Sequence, residues 1–180
     1  ISKGRVNVRR AVAIGGGGGA NVITANVVGI EKYQGGTTFG TMADVQGSDN
    51  RYFTISSMPI ARVGQVAAAT ATFQFPSNRN LNAYDQMNVR LEGHTGLSVS
   101  ASLFAYNWSL NRYEYVGAVP VGAADALKTF SIPMNKMSRY WSSTRQVRLI
   151  LRTISPISMN RASVPFNYRT DMLNMQGRLR

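Results

Sequence analysis

The chain has 180 residues, 44% of them hydrophobic, and carries 20 Lys+Arg against 8 Asp+Glu for a formal net charge of +12. That length makes one domain, burying roughly 70% of the surface its unfolded chain exposes. Cysteine is absent and histidine occurs once, which excludes disulfides, thiolate metal sites, a cysteine nucleophile and a histidine-based zinc site; no apolar run nears the ~20 residues of a membrane helix, so no membrane span is expected.

Sixteen arginines outnumber four lysines, a bias that suits carboxylate, phosphate or subunit contacts. The basic residues are dispersed rather than gathered into a stripe, with their densest group at Lys3, Arg5, Arg9 and Arg10. The first residue, Ile1, leaves two expectations open, a removed leader or a piece of a longer protein.

Residues 1–20 read as a basic, glycine-rich arm, and residues 21–180 as the domain. Within the arm, Val6, Val8, Val12 and Ile14 alternate with other residues, as a strand donated to a neighbour's sheet edge requires. Arg5, Arg9 and Arg10 add charge to that contact surface. Gly15 to Gly19 form a flexible joint, because glycine freezes at the greatest entropic cost. Gly15, Gly17 and Ala20 match the GxGxxA spacing of a dinucleotide-binding turn, but that turn must open a helix. The stretch NVITANVVGI that follows is β-branched and predicts a strand.

Further strands are predicted at RYFTISS, ended by Met58-Pro59, and at ATATFQF, where Ala71, Phe73 and Phe75 share one face. MNVRL follows with Met87, Val89 and Leu91 inward. LSVSASLFAYNWSLNRYEYV is a β-hairpin: Leu97, Val99 and Leu103 face the core, Asn107, Ser109 and Asn111 supply the turn, and the chain returns from Arg112 to Val116. Residues 119–125, with Pro120 and Gly122, read as a loop, and residues 127–132 as a strand. A turn or short helix is expected over 134–143, then QVRLILRTI with Val147, Leu149 and Leu151 inward and Arg148 and Arg152 outward, and a last strand over 164–175. Eight or nine short strands with no amphipathic helix describe an all-β fold, an antiparallel β-sandwich or jelly roll.

The succession GTTFGTMADVQGSDNRYFTIS, ATATFQF, MNVRLEG, LSVSASLFAYNWSLNRYEYVG, QVRLILRT and FNYRTDMLNM resembles a loosely defined β-sandwich module appended to secreted and surface proteins of bacteria. Its characteristic pieces are Ser48-Asp49-Asn50, the Tyr106-Asn107-Trp108 turn before Tyr113, and Asp171, and it spans roughly residues 30–175. The resemblance implies a non-catalytic accessory or structural role. The basic charge and the arm depart from the usual surface of such modules.

Candidate chemistry is sparse. His94 sits in the glycine-flanked turn EGHTG, and the eight acids form no paired-carboxylate motif, so an enzyme is not expected. Asp44, Asp49 and Asp171 are candidates to converge on a calcium ion, which takes several oxygen ligands. Phe104, Tyr106, Trp108, Tyr113 and Tyr115 lie on one hairpin and make a candidate contact patch for a sugar ring, an unpaired base or a partner subunit.

The leading expectation is a structural protein that binds copies of itself in an extracellular or cell-surface filament, sheath or layer, with the arm reaching a neighbour. The alternatives are a jelly-roll capsid protein of a virion, whose basic arm binds nucleic acid, and a carbohydrate-binding module that uses Trp108 and Tyr113; nucleic acid, an anionic polymer and a polysaccharide are the partners left open beside copies of the chain itself.

Overall fold

The computed structural model describes residues 21–157 and 163–180; the arm, with Arg5, Val6, Val8, Arg9, Arg10, Val12 and Ile14, lies outside the described residues. Eleven strands follow in chain order: β1 (Val22–Gln34), β2 (Thr38–Phe39), β3 (Phe53–Ser56), β4 (Met58–Ile60), β5 (Gly64–Gln74), β6 (Tyr84–His94), β7 (Val99–Asn107), β8 (Arg112–Val121), β9 (Ala126–Ile132), β10 (Gln146–Pro156) and β11 (Asn167–Leu179). Among the described residues a single α-helix, α1 (Met134–Tyr140), precedes β10. The strands pair antiparallel throughout, so the chain is an all-β antiparallel sandwich.

β1 is the long β-branched run and belongs to both layers. Residues 22–26 pair with β11, and residues 27–34 pair with β5 after a register shift, so one strand crosses from sheet to sheet at a bulge. The first layer places β11 between β6 on one side and β3 and β1 on the other, with β9 outside β6 and β2 outside β3. The second layer runs β1-β5-β10-β7-β8.

The alternation read from the sequence fills the space between the layers. Ala71, Phe73, Leu103, Leu149 and Leu151 point inward from the second layer, and Ile55, Met87, Val89, Leu173 and Met175 from the first, all buried in one cluster. β5 departs from simple alternation. Val66 and Ala68 on its other face are fully buried as well, because the central strand of a curled sheet is covered from outside as well as inside.

Four local expectations are corrected. Pro59 does not end a ladder: β4 continues through it and pairs with β5, Pro59 lying opposite Gln65. Proline is tolerated there because β4 is an edge strand, with β5 as its only partner among the described residues. Pro120 is likewise inside β8, at the open edge of the second layer, and not in a loop. His94 is the last residue of β6, opposite Arg169, rather than a turn residue. Expectation put eight or nine short strands where the described residues form eleven, two of them 13 residues long.

Candidate functional site

The hairpin of β7 and β8 is fixed by turn chemistry and then pinned to the helix. Asn107 Oδ1 accepts from the backbone N–H groups of Ser109 (3.0 Å) and Leu110 (3.2 Å), and Asn111 takes a positive φ of 50°. The indole N–H of Trp108 donates to the Tyr140 carbonyl at 2.9 Å, and its backbone N–H donates to that of Arg139. Glu114 accepts from Asn107 (3.0 Å) and from the Tyr140 hydroxyl (3.1 Å), with Arg139 at 3.5 Å. The Asn107 hydrogen bond, aided by Tyr140 and Arg139, holds the Glu114 carboxyl below its ordinary range.

With Leu103 and Ala105 facing the core, Phe104 and Tyr106 must face away from it. Register extends that outer face across the layer: Phe104 lies opposite Tyr115 on β8 and opposite Ile150 on β10, and Ile150 lies opposite Thr70 on β5. The neighbouring row is built of small residues around one cation, Ala68, Arg152, Ser102 and Ala118. Large rings beside a small-residue floor leave a depression.

The rings form two groups of edge contacts, the pair Phe104–Tyr115 and the series Trp108–Tyr106–Tyr113–Tyr33. Centroids are 5.6 Å apart for Phe104–Tyr115, 4.9 Å for Tyr106–Trp108, 5.1 Å for Tyr106–Tyr113 and 6.2 Å for Tyr33–Tyr113. The last pair joins the two opposite edges of the layer, β1 and β8. Four strand spacings would separate those edges by about 19 Å on a flat sheet, so the face curls inward and Tyr113 leans over it, reaching Thr70 on β5. Burial pushes the Tyr113 hydroxyl above its ordinary pKa. The curl also explains why Ile150, though it points away from the core, is only 3% exposed.

Three hollows occupy this face. One of about 200 Å³ is lined by Tyr33, Phe104, Tyr113, Ile150 and Arg152. A second, of about 480 Å³, opens over Ser100, Ser102 and Ile154, and a third, of about 190 Å³, over Gly29, Glu31, Thr70 and Thr72. Arg148 lies over the Trp108 and Tyr106 rings, 5.4 and 5.6 Å from their centroids, a cation–π contact that fixes its guanidinium on the rim.

Phe104, Tyr106, Trp108, Tyr113 and Tyr115 are thus brought together on one face. Sequence reasoning missed Tyr33 and did not join Arg148 and Arg152 to the rings. Outward parity on β10 marked both arginines, but nothing local in the sequence reveals that β10 lies beside β7.

A separate cluster belongs to the other layer. Glu92, Asp125 and Asp171 bring carboxylate oxygens within 4.8 Å of one another. Asp171 accepts the Asp49 N–H at 3.2 Å, and Asp125 accepts the Tyr52 hydroxyl at 3.1 Å. Burial, reinforced by Asp125, raises Tyr52 to about 12. Burial also raises Asp171, and Asp125 and Glu92 add like charge. Of the calcium candidates, Asp171 lies in this cluster and Asp49 beside it through its backbone. Asp44 is engaged elsewhere, accepting from the Thr41 N–H at 2.7 Å with Arg51 at 3.4 Å.

No family model matches the chain, and no curated protein does either. Among solved structures, a carbohydrate-binding module in complex with β-1,4-galactotriose superposes over 87% of this chain and 88% of its own, at 6% identity and a TM-score of 0.41. The family 11 carbohydrate-binding module from Clostridium thermocellum covers 91% and 92%, at 10% identity and 0.41. An enzymatically active tailspike domain of bacteriophage CBA120 covers 87% of this chain but 19% of its own, at 12% identity and 0.44. Scores of this size do not bear on function, which rests on the side chains of this chain.

Proposed function

We propose that the domain is a non-catalytic module that holds a polysaccharide chain along the curled outer face of the β1-β5-β10-β7-β8 layer. The carrying observation is the ring series from Tyr33 through Tyr113 and Tyr106 to Trp108, with Tyr33 and Tyr113 lining one hollow and serine and threonine hydroxyls lining two others on the same face. Sugar rings present apolar C–H faces and hydroxyl edges. Aromatic rings take the faces, and the hydroxyls of Ser100, Ser102, Thr70 and Thr72 take the edges. Anchoring Trp108 to α1 through its indole N–H prepares the surface before binding and lowers the ordering cost.

The test is isothermal titration against a panel of soluble neutral and acidic polysaccharides. At least one should bind, and Tyr113→Ala should weaken it roughly tenfold, in line with about 1 kcal/mol or more for one aromatic contact. A panel without a binder, or a Tyr113→Ala variant that binds as well as the parent, contradicts the reading.

Calcium enters as a second proposal, at Glu92, Asp125 and Asp171. Asp125 Oδ1 is buried without a hydrogen-bond partner, and an orphaned carboxylate oxygen beside two more carboxylates suits a hard cation. Millimolar calcium should raise the melting temperature of the parent and leave Asp171→Asn unmoved; no change in the parent would remove the proposal.

A further inference from the structure

Arg152 differs from five other arginines of the domain. Arg51, Arg112, Arg139 and Arg178 each sit beside a carboxylate, and Arg148 rests on aromatic rings. The Nε of Arg152 is buried with no hydrogen-bond partner, and the side chain lines the hollow between Tyr33, Phe104 and Tyr113. A guanidinium whose Nε finds no acceptor among the described residues is a poorly compensated cation, and the hollow that its side chain lines is where an anion would meet it. No acidic side chain lines that hollow. Glu31, exposed on β1, lines a different hollow of the same face.

We infer that the polysaccharide is acidic, a uronic-acid polymer whose sugar carboxylate is received by Arg152 while its ring lies against Tyr113 and Phe104. The inference rests on the reading of this face as a polysaccharide site. Guanidinium and carboxylate match as two parallel N–H···O bonds, and the aromatic walls exclude water and strengthen them. Arg148, held on the rim by Trp108 and Tyr106, supplies a second cation for a carboxylate further along the chain. A nucleic acid would place a phosphate at every nucleotide and needs a basic track. The face offers two arginines, and its remaining polar lining is serine, threonine and Glu31, which favours the sparser charge of a polyuronate.

The experiment titrates the full chain with polygalacturonate, a neutral β-glucan, dextran sulfate and a single-stranded oligothymidylate, at low and high salt, and repeats each with Arg152→Gln, Arg152→Lys and Arg148→Gln. Melting temperatures confirm that each variant is folded. Polygalacturonate should bind tightest, weaken with salt, and lose about ten- to hundredfold with Arg152→Gln, the loss of a charge-assisted pair. Arg152→Lys should recover only part, because the charge returns without the fork. Tight binding of a neutral glycan that is indifferent to Arg152→Gln overturns the inference and leaves the polysaccharide reading standing. Preference for dextran sulfate or the oligonucleotide overturns the uronate assignment, and failure of every polysaccharide overturns both.

Discussion

At the scale of single residues, Asp171 in the acidic cluster makes one pH-dependent contribution to stability. Asp171 has a folded pKa above its unfolded value, with burial first and the Asp125 and Glu92 charges behind it. Between the two pKa values the folded state holds more protons, so this group subtracts from stability above its folded pKa and the penalty fades as pH falls through it. Without divalent cations, the difference in melting temperature between Asp171→Asn and the parent should therefore be larger at pH 8 than at acidic pH, a comparison in which the opposite contributions of Asp44, Asp85 and Glu114, all held below their ordinary range, cancel. Asparagine keeps an oxygen for the Asp49 N–H while deleting the like charge, so the variant should melt higher than the parent at pH 8. A lower melting temperature for the variant in chelated buffer would show that the charge is not a liability there. Gly93 marks another single-residue constraint: a Cβ would run into the Arg169 carbonyl oxygen across the β6–β11 ladder. Gly93→Ala should lower stability and expose the His94 end of β6 to faster amide exchange.

Among the elements, β10 is the strand on which fold and site meet. One face gives Val147, Leu149 and Leu151 to the core and the other gives Arg148, Ile150 and Arg152 to the outer surface. Leu149→Ala should cost about 2–5 kcal/mol, as large-to-small changes at fully buried sites do, read as a denaturant midpoint shift at unchanged slope. The parity of this strand was legible, as was that of the Ala71-Phe73-Phe75 and Met87-Val89-Leu91 runs, because burial on one face writes a two-residue period directly into the chain. Edge strands were not legible in the same way. β4 and the end of β8 contain Pro59 and Pro120 and sit at open edges, where the rules that exclude proline from a ladder do not operate. The site was half legible for a related reason. Phe104, Tyr106, Trp108, Tyr113 and Tyr115 are neighbours along one hairpin, whereas Tyr33 and Arg152 reach them only through strand order and curl, which leave no local trace. The Glu114 network ties that hairpin to α1, so Glu114→Ala should lower the melting temperature and weaken ligand binding together, by loosening Trp108.

For the molecule as a whole, the two layers divide the labour. The β11-centred layer carries the carboxylate cluster, and the other turns its curled face and rings outward. Self-assembly through the arm drew on residues 1–20, and the described residues neither include that segment nor need it to build the face. A chain lacking residues 1–20 should therefore retain the parent's polysaccharide affinity within about twofold, whatever the arm contributes elsewhere; a large loss would place part of the binding site in the arm. The central claim is the location of the ligand. Hydrogen–deuterium exchange with and without saturating polygalacturonate, or the tightest-binding glycan of the panel, should show slowed exchange concentrated in β7, β8 and β10 and in the Tyr33 end of β1, with β6 and β9 unchanged. Protection centred instead on the Gly47–Tyr52 segment beside the carboxylates, or no protection despite measured binding, would contradict it.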